Sequence, residues 1–444
     1  MTDAVLLSRW QFAVTICVHF LFVTLSLGII WLLFAVETIA WRTKDRVWEK
    51  AGRFFGRIFI ITFVFGAVTG LVMEFQFGTN WAAFSDFAGD VFGTPLAAEG
   101  MFSFFLESVF LGIYIFGRNK LPKGLLWFSI LMVTLGATFS AFWILVANSW
   151  MNTPDGFLIS QGKIILNDFS KVIFTKSIWP RFFHTMDAVI ISGALFMAGI
   201  CAYLCLKNRE IQIARKTLKL AIVVGFITSV LELYPFGDWS ARQVAATQPT
   251  KFAVIESVEK TQKREPLVIF GVPVENPPHL IYDIRVPGLL NWMAFRNIDT
   301  QVKGMDQYTP EELPPYTLTF VSFHLMVGLG LLFIIISGFG TLLLYKELIF
   351  RFKWFLVLLV LNIPLPLIAC QLGWITTEVG RQPWIIYGVL KTSQAASINV
   401  SAQEVLISLI LFSFLYFIIT AFYIFLIVSQ VRRGPEPLGN LQGY

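Results

Sequence analysis

Between Arg9 and Glu37 the chain carries no charged side chain, and eight further stretches are nearly as apolar. About 20 apolar residues cross the hydrocarbon core of a bilayer. With that ruler the sequence predicts spans over 11–40, 55–75, 95–117, 124–148, 183–206, 218–236, 317–345, 354–376 and 405–431. A chain crossing lipid must satisfy its backbone internally, so these runs must be helices. The expectation is an all-α membrane protein, a bundle of about nine transmembrane helices. The composition agrees: 56% hydrophobic and 14% charged excludes an ordinary soluble domain. The lipid bilayer is the expected surrounding, and no nucleic acid is an expected partner. Met1–Arg9 lacks a basic leader and a cleavage site, so the first helix is expected to stay in the membrane. Cys17, Cys201, Cys205 and Cys370 lie in apolar runs without metal-site or disulfide spacing, which reads as packing.

One segment breaks the rhythm. Residues 237–316 are mixed and proline-rich, too polar to span and too long for a turn. The expected organisation is helices 1–6 over residues 1–236, an extramembrane loop over 237–316, and helices 7–9 over 317–444. Arg42, Lys44, Arg46, Lys50, Arg53 and Arg57 cluster after the first span, and Arg118, Lys120 and Lys123 after the third. Lys207–Lys219, Lys346–Lys353 and Arg432–Arg433 are basic too, whereas Gln76–Pro95 has no Lys or Arg. The positive-inside rule then puts the N-terminus outside and the C-terminus in the cytoplasm. The stretch Trp150–Arg181 fits less well, because it carries Lys163, Lys171, Lys176 and Arg181 on the outer side.

Polar side chains inside spans are costly and so carry information. His19 shares a rough helix face with Thr15 and Ser26. It is either a packing histidine bonded to a neighbour or an axial haem ligand. Glu99, Ser103 and Glu107 recur every four residues on one stripe, the pattern of a proton wire. Thr134, Thr138, Ser140 and Asn148 of the next span are candidates to face it. His184 and Met326 make a possible His/Met haem pair. Gln371, Trp374 and Glu378 share a face, and Arg381 follows as a partner for Glu378, for a haem propionate, or as an interfacial anchor. Lys251 and Glu256, five apart in the polar loop, read by themselves as a solvated charge pair. Under the deduced orientation His19, Glu99, His184, Met326 and Glu378 all fall toward the outer side, which implies one polar, cofactor-bearing layer.

Eight strings in order resemble subunit I of the cytochrome bd quinol oxidases. They are LSRWQFAVTICVHFLFV, GLVMEFQFGTNW, GTPLAAEGMFSFFLES, SAFWILVANSWMNTP, FFHT, KFAVIE, FHLMVGLG and GWITTEVGRQPW. The resemblance implies a multi-pass protein of the bacterial inner membrane that oxidises quinol outside and reduces O2 to water with cytoplasmic protons, without pumping. It implies haem b558, haem b595 and haem d, with a b-type haem in place of d in some relatives. His184 and Met326 are then ligands of haem b558, and His19 and Glu378 each bind one high-spin haem. Glu99 lies against the oxygen-reducing haem. Glu107, Ser108 and Ser140 line the inward proton path. Lys251 and Glu256 meet quinol, Trp374 lies between haems, and Arg381 balances haem charge. A second membrane subunit and a small single-helix subunit are the implied partners. The chain departs from the family at His324, where an Arg is common, and in its short quinone loop. From the residues alone, a dihaem electron carrier and a proton-coupled transporter are the competing functions.

Overall fold

The computed structural model describes residues 3–437. Among the described residues nine helices are long and apolar enough to cross a membrane. They are α1 (Ala4–Thr43), α2 (Arg46–Thr79), α3 (Ala82–Gly117), α4 (Lys123–Asn152), α5 (Ile178–Leu206), α6 (Ile211–Thr247), α7 (Tyr316–Leu342), α8 (Lys353–Val379) and α9 (Ala402–Arg433). Every predicted span is matched, and most helices overrun it. The stretch Gln76–Pro95, read as a loop, is almost wholly helical with a turn near Asn80–Trp81. Two of its amides bond to α1: Gln76 donates to Thr15 (2.6 Å) and Asn80 donates to Gln11 (2.9 Å).

Local chemistry sets the helix ends. Asp3 caps α1 by accepting from Val5 N, and Asp45 caps α2 by accepting from Val47 N. Ser401 and Glu404 form a capping box at the start of α9. Inside α8 the regular helix stops at Leu361 and restarts at Leu365, after Pro364, which has no N–H to give.

α5 is the central helix, with 78% of its apolar window buried, against 11% for the peripheral α9. α1 crosses α5 with backbones touching. A Cβ on Gly28 would lie 2.0 Å from Val189 O, and one on Gly193 would lie 2.3 Å from Gly28 C. Small residues at a crossing give membrane helices the close packing that replaces a hydrophobic drive.

Nine passes put the connections at alternating ends. The loop end carries residues 153–177, 248–315 and 380–401, and the basic end carries the short turns rich in Lys and Arg. The loops hold the non-helical structure: hairpin β1–β2 (Phe157–Ser160, Lys163–Leu166) and hairpin β3–β4 (Leu267–Val274, His279–Val286), both antiparallel. Lys163 and Arg181, which spoiled the charge pattern, are both engaged: Lys163 pairs with Asp86, and Arg181 is buried in α5.

Candidate functional site

Two π-helical segments shape the polar interior. Residues Glu99–Phe104 form one inside α3. It carries Ser103 and Glu107 to buried positions, while Glu99 stays half-buried and accepts from Ser140 Oγ (2.6 Å). Such segments often mark functional sites. The backbone of Glu107 presses on Gly136 of α4, and Ser108 lies half-buried beside it. The second segment, Glu232–Gly237, interrupts α6. Its Tyr234 is extended (φ −149°, ψ 122°), the conformation a following proline imposes, and Pro235 is that proline. Just before this break the Glu232 carboxylate meets His184, with Oε1 2.9 Å from Nδ1. Among the described residues Nδ1 makes no hydrogen bond.

At the loop end a buried charged cluster joins four elements. Arg381 donates to Glu378 Oε2 (2.5 Å), and Asn148 Nδ2 donates to Glu378 Oε1 (2.7 Å). Arg181 donates to Asn148 Oδ1 (2.8 Å). Lys251, on the short helix Pro249–Ile255, donates to Thr377 O (3.3 Å) and packs on Gly380. Lys251 and Glu256 are both buried, and only the Lys251 side chain is hydrogen-bonded, to Thr377 O, so they are not a solvated pair. Burial first, then the Arg181 charge, hold the Lys251 ammonium well below its ordinary value. Burial alone pushes the Glu256 carboxyl up to about 8.

Deeper lies a second tier. His19 Nδ1 is 3.1 Å from Thr69 Oγ1, which leaves Nε2 free, and Gly70 faces the same ring. Gln371 ties α8 to α1 by donating to Cys17 O (2.8 Å), and Trp374 lies 5.6 Å from Phe20. Met326 Sδ rests against Gly373, where a Cβ would approach to 2.9 Å. Asn148, at the Glu378 cluster, and Ser140, at Glu99, are eight residues apart on α4, about 12 Å of helix. The single layer expected from sequence is therefore two tiers. His324 stacks on Phe320 (4.0 Å) and faces Val268 O (3.3 Å), so it is bonded to backbone.

Four residues escaped the sequence reading as site members. Arg181 and Glu232 sit near span ends, where a charge reads as an anchor. Glu37 and Tyr114 meet Arg118 at the basic end: Arg118 and Tyr114 OH each lie 2.6 Å from Glu37 Oε1. Glu37 is the lone acid within α1, and that was the available signal.

These residues fit haem. Among the described residues no three-residue His/Cys/Asp/Glu group exists that would hold a bare metal ion. The candidate donors are instead dispersed single imidazoles, a thioether and a carboxylate, the kind that bind porphyrin iron axially. Arg381 Nε and Nη1 and Arg181 Nε are buried without partners. Buried guanidinium nitrogens demand anionic oxygens, and haem propionates present them.

Known proteins agree. The model of the family described as cytochrome bd terminal oxidase subunit I matches residues 7–435. The chain is 37% identical to cytochrome bd ubiquinol oxidase subunit 1 of Bacillus subtilis (strain 168), over 97% of this chain and 94% of the relative. It is 32% identical to cytochrome bd-II ubiquinol oxidase subunit 1 of Escherichia coli (strain K12), over 100% and 99% of the two chains. The solved bd oxidase from Geobacillus thermodenitrificans superposes with a TM-score of 0.92 at 30% identity, covering 98% of this chain and 99% of that one. The chain belongs to the cytochrome bd terminal oxidase subunit I family.

Proposed function

We propose that this chain is the haem-bearing catalytic subunit of a quinol:oxygen oxidoreductase, working at the loop end of the bundle in a bacterial inner membrane. The observation that carries the haem sites is the buried Arg181–Asn148–Glu378–Arg381 cluster, in which Arg181 Nε and Arg381 Nε and Nη1 lack partners. His184 and Met326 hold a low-spin haem b558. His19 and Glu378 each hold one high-spin haem, b595 or d, with a b-type haem as the variant of d. When bound, the haems supply electron transfer and oxygen binding.

The chain's own residues do the rest. Thr69 orients the His19 imidazole through Nδ1, and the Glu232 carboxylate, 2.9 Å from His184 Nδ1, is placed to do the same for the second ring, as partners of ligating histidines do. Arg381 and Arg181 balance propionate charge. Trp374 fills the space between tiers. Glu256 Oε2, buried and unpartnered, takes the proton released by quinol, and Lys251 anchors the loop beside it. Protons for water move from the basic end along Glu107, Ser108 and Ser140 to Glu99, which receives the Ser140 hydrogen bond. The basic residues at the turns support an outside loop end and a cytoplasmic C-terminus. Quinol protons then leave outside while oxygen draws protons from inside, and each charge separated stores about 2.3 kcal/mol per 100 mV. The partners are a second membrane subunit and a small single-helix subunit on the lipid-exposed flanks.

A pyridine haemochrome and a CO-difference spectrum of the purified complex test this reading. A CO-reactive haem beside a low-spin b haem is expected; a colourless preparation overturns it. His184→Ala is expected to remove the low-spin signal and keep part of the high-spin one, and full low-spin occupancy would refute its role.

A further inference from the structure

Hairpin β3–β4 belongs by sequence to the polar loop, yet it lies along a membrane helix. His324 Nε2 faces Val268 O (3.3 Å) near one end of β3, and Thr317 N donates to Glu275 (3.0 Å) just past the other. His324 is eight residues into α7, about 12 Å below its first turn. The hairpin therefore runs beside the first two turns of α7 rather than standing clear of them.

Its surface is inverted relative to a water-facing hairpin, which turns apolar residues inward and polar ones outward. Val268 and Leu280 are buried. The outward positions are apolar as well: Ile269 (54% exposed), Phe270 (54%), Tyr282 (82%) and Ile284 (60%). The charged residues among them are paired with one another. Arg285 pairs with Asp283 and with Glu259 of the loop body (3.5 Å), and the Arg285 and Asp283 side chains are each 28% exposed. Leu318 and Leu325 of α7 are half exposed too, at 50% and 53%, and make the neighbouring membrane-facing surface apolar. An apolar surface next to a transmembrane helix, with its charged residues paired to one another, matches acyl chains rather than water.

We propose that the outer face of β3–β4 is a lipid-contact surface, immersed in the headgroup–acyl boundary beside α7. The loop is then a monotopic element and not a purely aqueous lobe. Tyr282, the most exposed of the set, sits as an interfacial aromatic. The assignment does not depend on which residues ligate haem.

The test is spin labelling of the assembled oxidase in lipid nanodiscs, with Ile284→Cys, Tyr282→Cys and, as a water-facing control, Lys260→Cys. Collision with O2 and with a neutral nickel chelate is read by EPR. Labels at 284 and 282 should collide strongly with O2 and weakly with nickel, the reverse of 260. Strong nickel collision at both hairpin sites means a water-facing hairpin and overturns the proposal. Weak collision with both reagents means burial under a partner subunit and overturns it as well. Should either label prevent assembly, judged by the haem absorbance of the complex, Ile269→Cys gives the same readout.

Discussion

At the scale of single residues the site is defined by what burial does to charge. The Glu256 carboxyl titrates near 8, pushed up by burial. A base must be deprotonated to accept a proton, so kcat/KM for quinol is expected to rise with pH until about 8 and then level. Glu256→Gln should flatten that limb, as stopped-flow quinol oxidation across pH will show. The same carboxyl binds a proton on folding between pH 4.5 and about 8, so its share of stability is present at low pH and lost as pH rises through about 8. Arg381 is 4% exposed and bonds the Glu378 carboxylate. Arg381→Leu leaves that carboxylate short of a partner and should cost about 3 kcal/mol, read as a lower melting temperature of the haem-loaded complex. Glu107→Gln is expected to slow oxygen uptake while leaving haem content near normal, and unchanged uptake would count against the path. Among such residues His19, Glu99, His184 and Glu378 were legible because a lone polar group in an apolar run has few other reasons to be there. Arg181 and Glu232 were not, since near a helix end a charge is cheap and conveys little until its partner is known.

The elements explain how scattered residues meet. Pro235 holds Tyr234 extended and breaks α6 just after Glu232, whose carboxylate lies 2.9 Å from His184 Nδ1. Glu232→Gln should remove the negative charge beside the imidazole and raise the midpoint potential of the low-spin haem, measured by optical redox titration. An unchanged potential would mean that Glu232 does not act through His184. Gly193→Ala should be severe, because a Cβ there lies 2.3 Å from the backbone of Gly28. Loss of assembled complex in size-exclusion profiles is the expected outcome. Helices were legible in the sequence because length and apolarity alone decide them. The π segments and hairpins were not. A π segment has no apolar period of its own, and short strands in a mixed loop are fixed by contacts with neighbouring helices.

For the whole molecule the division of labour follows the two ends. The loop end gathers the candidate ligands and the long polar loop, and the basic end closes with Arg118, Glu37 and Tyr114. The tier holding His19 and Glu99 lies below the Glu378 cluster, so a proton from the basic end has less protein to cross than one to the loop end. Sequence placed both groups on one side but not at different depths, because helix tilt and overrun are invisible in hydropathy. The tie between Lys251 and Thr377 O has its own consequence. It fastens the substrate segment to the main chain one residue from Glu378, so cutting the exposed strand at Lys260 or Lys263 with trypsin should loosen that anchor and register as a change of pigment colour.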